Sequence, residues 1–126
     1  NSMLGVCHSC ANPLTAHYGI THGLAIGIML PHVIRFNGRA VSDLYGDLID
    51  EAGLHNGKVD AHAEMLAAHI DRLMSLAKLP TTLSACGVSA GILPLLSEEA
   101  GQQWTARFNP RPVTEADILR LYESAL

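Results

Sequence analysis

Period-2 alternation of apolar and polar residues is missing from this sequence, so no β-strand is expected. Runs of lysine or arginine are missing as well. With 8 basic residues against 12 acidic ones the net charge is −4, which offers little to a nucleic acid. The longest apolar stretch, Gly23 to Pro31 followed by Val33–Ile34, falls short of the ~20 residues a membrane span needs. Aromatic residues make up only 5% of the chain, so Leu, Ile, Ala, Val and Met must do the packing. No basic segment precedes an apolar stretch at the N-terminus, so no secretory signal is expected. The opening Asn1-Ser2-Met3 reads as helix interior, as if cut from something longer. Cysteines number 3, an odd count that argues against a disulfide framework and for a reducing compartment, by default the cytoplasm. Neither a G-x-G-x-x-G pattern nor a phosphate-binding loop is present.

What is there is helical. At 126 residues with 48% hydrophobic and 16% charged residues, the chain can bury one core, not two. Val41, Leu44, Tyr45, Leu48, Ile49 and Ala52 follow helical spacing, and Gly53 stops them. A second stripe, Met65, Leu66, Ile70, Leu73, Met74 and Ala77, runs through Ala61 to Lys78 and ends before Pro80. Ser89 is placed to cap a helix reaching about Trp104. Thr114 and Asp117 form a capping-box pattern that opens a last helix, with Ile118, Leu119, Tyr122 and Leu126 inward. The first third reads as two helices, Asn1 to about Ala16 and Thr21 to about Gly38. Pro13 and Pro31 are embedded in them and should bend them. Gly19 can end the first, and Thr21 can cap the second. The expected architecture is all-α, with about six helices.

The histidines number 7, and most have an ordinary reading. His55, His62 and His69 lie on or beside polar faces and are expected to be structural or solvent-facing. His32 reads as a hydrogen-bonded core residue. His8 and His22 are different because a break lies between them. On one unbroken helix, fourteen residues would hold them ~21 Å apart. A reversal at Gly19-Ile20-Thr21 can bring both imidazoles to a single ion, which needs nitrogens ~2.0–2.1 Å from it. Two unrelated histidines remain the alternative. Cys7-His8-Ser9-Cys10 offers a rival metal or thiol-exchange pair, but it has no second CxxC and no βαβ context. Burial in the core is the preferred reading for Cys7 and Cys10.

From Gly5 to Val33 the sequence carries, in order and without gaps, several landmarks. They are His8, Asn12-Pro13-Leu14, Tyr18-Gly19, His22-Gly23 and Leu30-Pro31-His32-Val33. Further on come Leu79-Pro80-Thr81-Thr82-Leu83, Cys86-Gly87-Val88 and Phe108-Asn109-Pro110-Arg111-Pro112-Val113-Thr114. This pattern resembles the iron-containing alcohol dehydrogenase family over essentially the whole chain.

The resemblance implies a dehydroquinate synthase-like helical domain, the C-terminal half of a two-domain enzyme, spanning residues 1–126. The N-terminal dinucleotide-binding domain would be its partner and lies outside this chain. The implied reaction interconverts an alcohol and an aldehyde or ketone with NAD or NADP, and the parent is expected to be a homo-oligomer. The implied metal, Fe(II) or Zn(II), is held by one Asp and three His and polarises the substrate oxygen. His8 and His22 match the last two histidine ligands; the other two ligands precede this segment. Metal binding by the segment alone should be weak, and the segment alone is expected to be inactive.

Two positions depart from the pattern. Asn12 stands where the family often has a second histidine near the nicotinamide, implicated in proton relay. An amide cannot titrate there. Thr15 replaces the usual glycine after Pro-Leu. His17, nearby, occupies a position usually apolar and is given no role. Other superfamily oxidoreductases (glycerol dehydrogenases, maleylacetate reductases, hydroxyacid–oxoacid transhydrogenases) and a non-catalytic free-standing helical module remain alternatives.

Overall fold

The computed structural model describes residues 5–53 and 61–126. Among these there are six α-helices and no strand: α1 (Val6–Tyr18), α2 (His22–Asn37), α3 (Ser42–Glu51), α4 (His62–Leu76), α5 (Leu93–Gly101) and α6 (Glu115–Ala125). Short 3-10 turns at Gly38–Val41, Ser84–Cys86, Ala90–Ile92 and Trp104–Phe108 carry the chain between them. The all-α architecture is therefore as the sequence indicates. Asn1–Leu4 and His55 fall outside the described residues, as do the side chains of Val41, Leu44 and Trp104.

The core lies where α1, α2, α5 and α6 meet. α1 buries Val6, Cys7, Cys10, Ala11 and Leu14, a face repeating at three to four residues. α2 contributes Ala25, Ile28, Met29 and Val33 in the same rhythm. A methyl group on Gly27 would stand 2.8 Å from the Met74 sulfur, so the flexible end of Met74 on α4 would have to shift to admit it. Pro13 and Pro31 both sit inside helices that run on past them, and both are buried. Each forfeits one backbone bond, a loss that burial of the apolar ring helps to offset.

α6 opens as expected. Thr114 Oγ1 accepts from the Asp117 N–H at 3.1 Å, and the Thr114 N–H donates to Asp117 Oδ2 at 3.0 Å. Its buried face is Ile118, Leu121, Tyr122 and Ala125, while Leu119 and Leu126 are only half-buried. Gly19 and Gly53 take the left-handed conformation (φ 64° and 70°), the first closing α1 and the second following α3.

Other expectations need correction. Thr21 and Ser89 occupy N-cap positions, but neither side chain caps. The helix assigned from Ser89 to Trp104 is a 3-10 turn followed by α5, which ends at Gly101; Trp104 begins the next 3-10 turn. α4 stops at Leu76 because Lys78, not Pro80, turns left-handed (φ 57°). The Lys78 and Leu79 N–H groups then donate to the carbonyls of Ser75 and Met74, a Schellman closure. The stripes assigned to α3 and α4 are only partly inward. Leu48 and Leu73 are each 51% exposed, and Ala52 and Ala77 are also exposed. Among the described residues α4 packs mainly on α2 and α3, which leaves part of so broad a stripe uncovered.

Candidate metal centre

His8 lies in the first turn of α1, and His22 is the first residue of α2. From His8 to Tyr18 the helix rises ~15 Å. The chain must travel back before α2 starts. Gly19, left-handed at φ 64°, turns it, and Ile20 and Thr21 carry it back; two residues span at most ~7 Å. Ile20 is buried, which pins the return against the core, and Thr21 is extended at ψ 143°. The remaining distance is closed by the two side chains. The imidazole centroids stand 5.1 Å apart with ring planes inclined at 51°.

That separation suits two ligands of one ion. With M–N bonds of ~2.0–2.1 Å and a near-tetrahedral angle, two imidazole centroids fall roughly 5 Å apart. Neutral imidazole nitrogens are good donors to iron or zinc. The set is incomplete, however. No group of three or more His, Cys, Asp or Glu side chains that could hold an ion occurs among the described residues. The pair fits half of a coordination shell, open to a further set of ligands, since His22 is exposed and His8 half-buried.

Asn12 follows one turn after His8 on the same helix. Its Nδ2 donates to Oε1 of Gln103, 3.2 Å away in the loop after α5. Gln103 was not singled out from the sequence: a glutamine in a polar loop carries no pattern that announces a partner 91 residues away. His17 is taken up by α5, its Nε2 lying 2.8 Å from Glu99 Oε2. The hydroxyl of Tyr122 on α6 donates to the Cys10 carbonyl at 2.7 Å, tying down the helix that carries His8 and Asn12.

Cys7 and Cys10 are buried free thiols, in keeping with the core reading. Burial pushes the Cys7 thiol up to about 12, and Cys10 is raised as well, by burial first and then by Cys7. Neither is a thiolate donor near neutral pH. His32 is not a core residue but half-buried in the wall of a shallow cleft of about 400 Å3, between α2 and α6, with Arg35, Arg111 and Arg120. Burial lowers its pKa, Arg35 lowers it further, and Asp71 opposes them. His62 and His69 are half-buried on α4, and His69 Nδ1 lies 3.2 Å from an Arg72 guanidinium nitrogen. No helix among the described residues is long and apolar enough to cross a membrane.

Comparison with known proteins agrees with this arrangement of helices. The chain is 33% identical over 130 residues to lactaldehyde reductase of Escherichia coli K12, covering 99% of this chain and 33% of that protein. It is 32% identical over 127 residues to 1,3-propanediol dehydrogenase of Citrobacter freundii, again 99% of this chain and 33% of the relative. A crystal structure of 1,3-propanediol oxidoreductase superposes with a TM-score of 0.90 at 30% identity, over 97% of this chain and 32% of that one. The chain thus spans about one third of the length of these relatives. The family model described as Fe-containing alcohol dehydrogenase family, C-terminal, matches residues 1–126. From one end to the other, the chain belongs to the Fe-containing alcohol dehydrogenase family.

Proposed function

We propose that residues 1–126 are the helical domain of a longer, metal-dependent, NAD(P)-linked alcohol dehydrogenase, and that His8 and His22 supply two of its metal ligands. The observation that carries this reading is the convergence of the two rings, 5.1 Å apart, in a chain matched throughout by that family. The remaining ligands and the dinucleotide site belong to a preceding domain outside this chain. When bound, an Fe(II) or Zn(II) ion supplies Lewis acidity toward the oxygen of the alcohol or carbonyl, while a nicotinamide exchanges hydride.

The residues of this chain have definable tasks. His8 and His22 present imidazole nitrogens from two helices joined through the Gly19 turn and the buried Ile20, with Tyr122 tying the first of them to α6. Asn12, one turn along, offers hydrogen bonds beside them and no proton that titrates near neutral pH. Proton exchange with solvent therefore runs through water, a substrate group or another residue. Half a ligand set and no nucleotide site leave the segment by itself a weak metal binder without turnover. Short alcohols and diols are the substrates to try first, since several relatives are named for lactaldehyde, propanediol and butanol, the last with NADPH, while another is named for long-chain alcohols. The parent is taken to be a homo-oligomer, and a reducing compartment such as the cytoplasm suits its three free thiols.

The test is a metal analysis of the full-length protein, coupled to nicotinamide assays over a panel of short alcohols and diols. Stoichiometric iron or zinc with hydride transfer to NAD or NADP is the expected result. A full-length protein that retains no metal and reduces neither nucleotide would favour a non-catalytic helical module.

A further inference from the structure

Asn12 lies four residues after His8, where Cβ atoms on one helix face stand about 5–6 Å apart. Its bond to Gln103 is the one side-chain hydrogen bond that either amide makes among the described residues. Each carboxamide has one carbonyl and one NH2 group. Joined once, the pair leaves wholly unused the Asn12 carbonyl and the Gln103 NH2, besides the second Asn12 N–H and the second lone pair of the Gln103 carbonyl. Exchanging O and N in both amides swaps the owners and leaves the same two groups. Both residues are half-buried, and no buried side-chain N or O among the described residues lacks a partner, so the leftover groups reach solvent.

A carbonyl and an NH2 on two amides joined by one hydrogen bond can complement a neutral group that both donates and accepts. A hydroxyl does both. A carboxylate has no proton to give, and an ammonium group has no lone pair. We propose that the Asn12–Gln103 amide pair binds the second hydroxyl of a diol or hydroxyaldehyde and so selects such substrates over simple alkyl alcohols. The inference rests on the reading that His8 and His22 hold the ion at which the reacting oxygen sits. Asn12 touches the hydroxyl; Gln103 touches it too and holds the Asn12 amide in place. The carboxamide of a nicotinamide offers the same donor and acceptor, and the experiment separates the two.

In the full-length protein, kcat/KM for 1,3-propanediol divided by that for 1-propanol is compared among wild type, Asn12→Leu, Gln103→Leu and Gln103→Glu. Leucine removes the amide at similar size. Glutamate still accepts from Asn12 but has no N–H to offer outward. The ratio should fall roughly 3- to 10-fold in all three, the effect of one neutral hydrogen bond shared with solvent. The loss should appear in KM for the diol and in its equilibrium binding to the enzyme–nicotinamide complex, with kcat moving less and metal content at the wild-type level. An unchanged ratio in both leucine variants overturns the proposal. So does an equal rise in the nicotinamide KM with either alcohol, which would assign the amides to the cofactor. Wild-type protein that holds no metal and oxidises neither alcohol would remove the underlying reading of His8 and His22, and the amide site with it.

Discussion

The hydroxyl of Tyr122, in the last helix, donates to the backbone carbonyl of Cys10, in the first, at 2.7 Å and out of contact with solvent. This bond closes the core across 112 residues of sequence. It also anchors α1 between His8 and Asn12. Burial raises the Tyr122 pKa well above the ordinary tyrosine value, so the hydroxyl stays a donor at any physiological pH. Replacing it by phenylalanine keeps the ring and removes the donor. Tyr122→Phe should lower unfolding stability by about 1 kcal/mol, and more if no water reaches the stranded carbonyl. Denaturant unfolding measures it, and equal midpoints for the two proteins would show that the bond contributes nothing net.

Removal of a ligand should act on metal before it acts on fold. His22 is exposed at a helix start, so His22→Ala should leave the helices intact. In the full-length protein it should abolish both metal retention and turnover. Elemental analysis alongside circular dichroism separates the two effects; unaltered metal content would defeat the assignment of His22.

Asn12→His would put a group that titrates near neutrality one turn from His8. The pH dependence of kcat/KM in the full-length enzyme should then gain or shift a limb between about pH 6 and 8. Superimposable profiles would mean that this position does not touch proton transfer.

The N-terminal cap of α6 gives a pH dependence of known sign. Asp117 is held below the ordinary aspartate pKa, first by the Thr114 backbone N–H and then by the Thr114 hydroxyl. A group whose folded pKa is depressed stabilises the fold above its unfolded pKa. That stability is lost as pH falls through the folded value. Thr114→Ala should cost about 1 kcal/mol at pH 7, and the gap to wild type should narrow below about pH 4 as Asp117 protonates. Thermal unfolding at pH 7 and pH 3 checks both halves, and a gap that widened in acid would contradict the sign.

Lys78 holds a left-handed conformation (φ 57°) in which an L side chain crowds its own backbone, and its own N–H and that of Leu79 already complete the Schellman closure of α4. Lys78→Gly should relieve that crowding, with part of the gain returned as unfolded-chain entropy, for a net stabilisation of a few tenths to about 1 kcal/mol. A lower melting temperature would show that the lysine side chain matters more than its strain.

Much of the helical layout was legible because its signals are local. The capping box at Thr114 and Asp117, the left-handed glycines Gly19 and Gly53, and the buried 3–4 spacing of α1 and α2 depend on neighbours within a turn or two. The spacing of His8 and His22 marked a possible meeting point but could not choose between a shared ion and two unrelated rings; the long run of family landmarks made that choice a strong expectation. Ser89 and Thr21 have the right side chains for caps, yet neither makes the bond, although Ser89 enters its helix at nearly the same backbone angles (φ −103°, ψ 154°) as the capping Thr114 (φ −99°, ψ 163°). Leu48 and Leu73 keep perfect helical register and are still 51% exposed, because among the described residues no other helix covers them.

Residue order alone determined that the chain is helical and fixed those ends whose signals are local, the Gly19 and Gly53 stops and the Thr114 cap, since backbone geometry and capping act over a few residues. Tertiary structure decided everything that joins distant positions: 5.1 Å between the His8 and His22 rings, Gln103 at the amide of Asn12, Glu99 at His17, and Tyr122 under Cys10. Such contacts arise from how helix faces pack around the shared core, and packing is a property of the whole set of buried side chains rather than of any short stretch.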